Sequence, residues 1–286
     1  MVRLAAGLLL LAAAATTARG QGVRRTVTIV ATPGRLAVPA SVASGPLTFV
    51  LQNRAGVIVS AQLFAVRDDH TPEEAVTLLA AGEPRPEWIF AAGGVGPLAT
   101  GGTAGVTHSL PPGGYVIAST VPDASGTPQL RRGYIAAFRA SGSGAQASVT
   151  GVTAALAVGN NAFRLRRVAE RDGRLMEWIG RSRGLSFARG ERIIEVETGG
   201  GVAHEVALVR MDSAVTLRQY VQWFERGQRG PAPGRPSGGV GILPPGRRVW
   251  LHVRLERGTY WFYCNTVHQG GRRGWETGEY AQIAVR

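Results

Sequence analysis

Apolar and polar residues alternate with a period of two along most of this chain. Leu47, Phe49 and Leu51 are one example, and such alternation predicts strands that turn one face to a core. The pattern predicts strands over 26–31, 47–52, 57–66, 105–110 and 115–119, and again over 192–197, 202–209, 249–255 and 260–264. Two segments depart from it. Thr71-Pro-Glu-Glu74 and Thr216-Leu-Arg-Gln219 are capping boxes, in which the Thr hydroxyl and the Glu or Gln side chain satisfy amides exposed at a helix start. Each opens a helix of about three turns that stops at a glycine, Gly82 or Gly227.

These elements are two copies of one unit at an offset of 145 residues. Val76, Leu78 and Leu79 fall opposite Val221, Trp223 and Phe224. Gly93-Gly-Val-Gly96 falls on Gly238-Gly-Val-Gly241, and Leu110, Gly113 and Tyr115 fall on Leu255, Gly258 and Tyr260. Self-similarity at a fixed period marks a structural unit written twice. The expected fold is therefore all-β: two tandem Greek-key β-sandwich units, each carrying one short inserted helix. Forty glycines and 16 prolines fit short strands joined by many turns. The expected division is 21–142 and 146–286, joined by the Ser/Gly/Ala-rich stretch 141–147. The Gly-Gly-Val-Gly runs read as loops before strands; they do not stand at a strand-to-helix turn, so they are not phosphate cradles. Residues 149–184 must supply the first strands of the second unit, although the repeat does not account for their arginines or for Trp178.

Candidate chemistry concentrates in the second unit. Gly258-Thr-Tyr-Trp-Phe-Tyr-Cys-Asn-Thr-Val-His-Gln-Gly270 places the only cysteine, Cys264, at the end of an aromatic strand, with His268 in the loop that follows. Gly199-Gly-Gly-Val-Ala-His204 puts a further histidine at the start of another strand. In these motifs the last third of the chain resembles the cupredoxins, the blue copper proteins of the plastocyanin type. Their last motif reads Y-x-F-Y-C, then a short loop with H-Q-G, then G-M, and an earlier G-x-x-H-x-V strand supplies the first histidine. The resemblance implies one copper ion in the second unit, held by His204, Cys264 and His268, for one-electron transfer or copper handling. Two imidazoles and a thiolate near one plane suit copper, and a weak axial group tunes the potential.

The methionine that serves as axial ligand in that family is missing, because the chain continues Arg272-Arg-Gly-Trp-Glu-Thr-Gly278. Glu276 is the expected axial oxygen and Gln269 the next candidate; an anionic oxygen there favours Cu(II). His268, on a loop at the sandwich end, is the expected ligand nearest solvent. In the first unit Ser119 takes the place of Cys264. A two-residue shift that aligns Arg67 with Arg210 puts Ala61 in the place of His204, so the first unit is expected to lack a metal site. The loops after Ser119 and Cys264 read as different in length, with Arg131-Arg-Gly-Tyr134 echoing Arg272-Arg-Gly-Trp275. His70, His108 and His252 read as structural or solvent-facing and show no spacing for a second copper. That weighs against a multicopper oxidase or a nitrite reductase, and no substrate-activating group is visible, so a non-enzymatic role is expected. The alternative is a metal-free envelope binding or structural module with a decayed site.

Residues 1–20 have the form of a secretory signal, with Arg3, an apolar run from Leu4 to Ala15, and small residues at Ala18-Arg-Gly20. The expected location is periplasmic or secreted, with no transmembrane segment in the mature chain. A lone thiol in an oxidising compartment calls for a reason, and metal ligation supplies one. The net charge of +13 comes wholly from arginine; loss of Arg3 and Arg19 with the signal leaves 13 − 2 = +11. Scattered arginines suit an anionic envelope surface or an acidic partner rather than specific nucleic acid. The expected partners are a redox protein or a copper donor.

Overall fold

The structure, a computed structural model, describes residues 25–143, 149–168, 175–180, 185–211, 214–268 and 270–286. The expected signal segment, most of the expected linker and Gln269 lie outside them. The first half runs β1 (Arg25–Thr32), β2 (Arg35–Ala37), β3 (Ser41–Ala43), β4 (Gly45–Asn53), β5 (Val59–Val66), α1 (Pro72–Ala81), β6 (Ile89–Leu98), β7 (Thr103–Leu110), β8 (Gly113–Ala118) and β9 (Ile135–Ser141). The second runs β10 (Ala154–Gly159), β11 (Ala162–Val168), β12 (Leu175–Gly180), β13 (Leu185–Phe187), β14 (Gly190–Thr198), β15 (His204–Met211), α2 (Leu217–Glu225), β16 (Gly234–Leu243), β17 (Arg248–Leu255), β18 (Gly258–Tyr263), α3 (Gly274–Thr277) and β19 (Tyr280–Val285).

The fold is all-β, and both halves use the same strand pairing. In one layer β1 lies parallel to β4, which pairs antiparallel with β7; β10, β14 and β17 do the same. In the facing layer β3 runs parallel to β9, which continues through β8 and β5 to β6; β13, β19, β18, β15 and β16 repeat that order. The chain crosses repeatedly between the layers, in the first half at β2–β3, β3–β4, β4–β5, β6–β7 and β7–β8, giving the cupredoxin-like Greek-key sandwich that the sequence motifs imply. The alternating inner faces, with Ile29, Phe49, Leu51, Val106 and Ile117 in one half and Val196, Leu208, Leu251 and Phe262 in the other, belong to one buried apolar cluster spanning both. Both capping boxes form, with Thr71 accepting from the Glu74 N–H and Thr216 from the Gln219 N–H.

The two halves share their sheets. β7 pairs with β17 and β6 with β16, so that among the described residues a nine-stranded and a ten-stranded sheet each run through both halves. At the join Val106 faces Leu251 and Val95 faces Val240. Each pair is its own repeat equivalent, 145 positions apart, so the sequence repeat becomes a local two-fold axis passing between these residues. Thr107 Oγ1 and His252 Nε2, also 145 apart, meet across the join at 2.7 Å. The Gln62 amide crosses it too, accepting from the Ile242 N–H at 2.7 Å and donating to the Ile242 carbonyl at 3.3 Å, while within its own half it donates to the Gly93 carbonyl at 2.8 Å.

The Gly-Gly-Val-Gly runs are not loops, as their composition suggested, but the interiors of β6 and β16. Gly94 and Gly239 have φ of 103° and 120°, and a Cβ on either would lie 2.1 Å from the carbonyl of Ala61 or Val206. The pairings β5–β6 and β15–β16 shift register at matching points, and these glycines let the bulged strands close up. The unexplained stretch after 149 forms β10, β11 and β12. Register places Val27 and Ala154 at equivalent points, an offset of 127 rather than 145. The second half is therefore longer before β13, and β12 occupies the added length.

Candidate metal centre

Three chain segments converge at one end of the second sandwich. β15 begins at His204, just before the register shift between His204 and Val206. β18 ends at Tyr263, and the next residue, Cys264, donates its N–H to the Glu279 carbonyl at 3.0 Å. Between Cys264 and β19 the chain makes a tight hairpin with a bridge from Val267 to Arg273. The His268 N–H donates to the Arg272 carbonyl at 2.9 Å and fixes the histidine at the tip. The short helix α3 then returns the chain, with Trp275 N–H on the Cys264 carbonyl at 2.8 Å.

The side chains of His204, Cys264, His268 and Glu279 each bring one donor atom into a group in which all lie within 4.8 Å of one another. His204, Cys264 and Glu279 are fully buried; His268 alone is partly open to solvent. Glu279 Oε2 lies 3.0 Å from His204 Nδ1 and 3.1 Å from His268 Nε2, and Oε1 accepts the Asn161 N–H at 3.0 Å. Burial pushes the Glu279 carboxyl up, but hydrogen bonds from His204, the Asn161 amide, His268 and Cys264 outweigh it and bring it down to about 2. The Cys264 thiol is pushed far above its usual range by burial and then by the charges of Glu205 and Glu279. Glu205, next to His204, is itself pushed up to about 7 by burial, against the opposing effect of the Asn265 N–H and Arg273.

Glu276 is not at this site. Its carboxylate accepts the Arg273 N–H at 2.9 Å at the start of α3 and stays exposed. Glu279, three residues on, is not marked by the spacing after His268; its signal in the sequence is its place directly before the last strand, β19. Gly274 makes room for it. A Cβ there would lie 2.3 Å from Glu279 Oε2 and 2.9 Å from Cys264 Sγ.

Register also corrects the alignment of the halves. Val59 pairs with Leu98 as His204 pairs with Leu243, so Val59, not Ala61, stands where His204 does, with no two-residue shift. The loops after Ser119 and Cys264 are equal in length. The Asp123 N–H to the Thr127 carbonyl matches His268 to Arg272, and Gln129 to Val121 matches Gly274 to Thr266. Tyr134 therefore corresponds to Glu279 and not to Trp275. The resemblance of Arg131–Tyr134 to Arg272–Trp275 is out of register, by offset 141 instead of 145.

The first half places Val59, Ser119, Asp123 and Tyr134 at the four donor positions. It fills the space with Gln129, which stands where Gly274 does. Ser119 Oγ donates to Gln129 Oε1 at 2.8 Å, and Gln129 Nε2 donates to the Ile58 carbonyl at 2.8 Å. That pocket is closed by its own hydrogen bonds. In the second half the donor set is two imidazoles, a thiol and a carboxylate around a glycine-cleared space, and His204 Nε2 has no hydrogen-bond partner although buried. Such nitrogen and sulfur donors fit copper or zinc.

His108 is structural: it is buried and its Nε2 accepts the Gly94 N–H at 3.1 Å. His70 stacks on Trp88 at 3.9 Å. Among the described residues no helix is long and apolar enough to cross a membrane.

No protein-family model and no curated protein matches the chain. Similar solved structures include a multicopper oxidase, at 11% identity over 92% of this chain and 88% of that one, TM-score 0.25. Another is the copper-containing nitrite reductase from Thermus scotoductus SA-01, at 10% identity over 92% of this chain and 61% of that one, TM-score 0.26. Auracyanin B is similar at 15% identity over 49% of this chain and 92% of that one, TM-score 0.31. They include named enzymes, so a non-enzymatic role does not follow from them, and the reading of the site stands on this chain's own geometry.

Proposed function

We propose that the second half binds one copper ion through His204, Cys264 and His268 and serves one-electron transfer or copper handling outside the cytoplasm. The observation that carries this reading is the contrast between the halves. The same backbone places Val59, Ser119 and Asp123 around a self-bonded plug in one half, and His204, Cys264 and His268 around a cleared space in the other. A bound copper ion would supply exchange between Cu(I) and Cu(II). The protein's part is to hold the ligands in a buried frame that moves little between the two states, and to leave His268 as the edge open to a partner. A redox protein or a copper donor is the proposed partner, and the arginine-rich surface suits an acidic face on it or an anionic envelope. Residues 21–142 then act as a scaffold.

Titration of the purified protein with Cu(II), followed by visible and EPR spectra, tests the reading. An intense thiolate-to-copper band saturating at one equivalent and lost in Cys264→Ser is expected. Absence of any Cys264-dependent metal binding would leave a paired sandwich without a metal site.

A further inference from the structure

Resting on that reading of the site, we infer that Glu279 is a fourth ligand and that it biases the copper centre toward the divalent over the monovalent state, with Zn(II) as a redox-silent competitor. Glu279 is fully buried and its Oε2 is within hydrogen-bonding distance of a nitrogen of each histidine ligand. A carboxylate so placed is in reach of any ion those nitrogens hold. Its position is built from several directions: the Gly278 C-cap with φ 111° turns the chain, the Cys264 N–H and Glu279 carbonyl tie the two ligands together, and the Asn161 N–H anchors the second oxygen. The space it enters exists because residue 274 has no side chain.

Charge decides what this does. Thiolate and carboxylate together carry two negative charges, and the two imidazoles are neutral. A divalent ion brings this buried set to zero, whereas Cu(I) leaves one uncompensated negative charge. An uncompensated charge in a buried site is costly. Four donors of mixed nitrogen, sulfur and oxygen type also suit the tetrahedral preference of Zn(II). Binding expels the proton of the Cys264 thiol to solvent, and each neutral imidazole carries its proton on the nitrogen turned away from the ion, so that the ion takes the place of these protons against the carboxylate.

The test compares wild type, Glu279→Gln and Cys264→Ser for binding of Zn(II), Co(II), Cu(II) and, without oxygen, Cu(I). Expected are Cys264-dependent bands with Co(II) and Cu(II) in wild type. In Glu279→Gln the ratio of Zn(II) to Cu(I) affinity should fall at least tenfold and the copper potential should rise. An unchanged ratio and potential in a variant that keeps the Cys264-dependent band would overturn the carboxylate's role while leaving the three-ligand reading intact. Metal binding that is absent or insensitive to Cys264→Ser would overturn both. Should Glu279→Gln not fold, a crystal structure of the wild type loaded with Zn(II) decides. Glu279 Oε2 at about 2.0–2.2 Å from the ion is expected, and a carboxylate turned away from it would overturn the inference.

Discussion

Tyr134 and Glu279 occupy the same point of the two halves. Each directly precedes the last strand of its half, and each offers its carbonyl to the N–H of the residue just past the end of the preceding strand, Ser119 at 2.9 Å and Cys264 at 3.0 Å. Around the site the backbone is shared down to individual hydrogen bonds, so the difference in chemistry there lies in side chains. Four donor positions and one glycine separate a closed pocket from a candidate metal centre.

That glycine yields the first prediction. Gly274→Ala puts a methyl group 2.3 Å from Glu279 Oε2 and 2.9 Å from Cys264 Sγ. Affinity for Cu(II) should fall about tenfold or more, by analogy with other perturbations of ligand support, while far-UV circular dichroism keeps its strand signature. Competition titration with a chromophoric chelator measures it.

Backbone closure at the bulges predicts two matched instabilities. Gly94→Ala and Gly239→Ala each force a side chain into positive φ and against a carbonyl. Each should cost about 2 kcal/mol or more. Chemical denaturation of both variants should give similar losses, because the two sites are related by the local two-fold axis.

His108 predicts a pH dependence. Burial lowers its pKa from 6.5 to about 4, so between these values the unfolded chain binds a proton that the folded one does not. Stability is then whole above pH 6.5 and lost as pH falls toward 4, by up to about 3 kcal/mol for this group. His108→Gln should flatten that part of the profile of urea midpoint against pH.

The shared sheets predict that the halves do not behave as independent monomers. Cutting the chain near residue 146 would uncover β16 and β17, with Val240 and Leu251 facing solvent along open edges. Open edges recruit other strands, so the second half alone should self-associate in light scattering, while the full chain unfolds in one transition. A stable monomeric second half would show that the join contributes little.

The gain from Gln62 across that join is measurable. Its amide bonds Ile242 N–H, the Gly93 carbonyl and the Leu63 carbonyl in a buried position. Gln62→Leu removes these buried bonds, and thermal unfolding should report a loss of about 1–3 kcal/mol.

Local pattern alone determined the strands over 47–52 or 249–255, both helix starts and the 145-residue repeat, and the resemblance of the last motifs singled out the trio His204, Cys264 and His268. These depend on short-range periodicity, capping chemistry and motif spacing, which neighbouring residues settle among themselves. Tertiary structure decided the rest. The glycine runs became strands because β6 and β16 need backbone that can approach another backbone closely, a requirement set by partners far away in the chain. The equivalence of Val59 with His204 was hidden because residue likeness, Arg67 with Arg210, is a weaker guide than hydrogen-bond register. Glu279 displaced Glu276 because a one-turn helix and a glycine C-cap aim one carboxylate inward and leave the other on the surface, and that aim exists only once Cys264 and Glu279 are joined across adjacent strands.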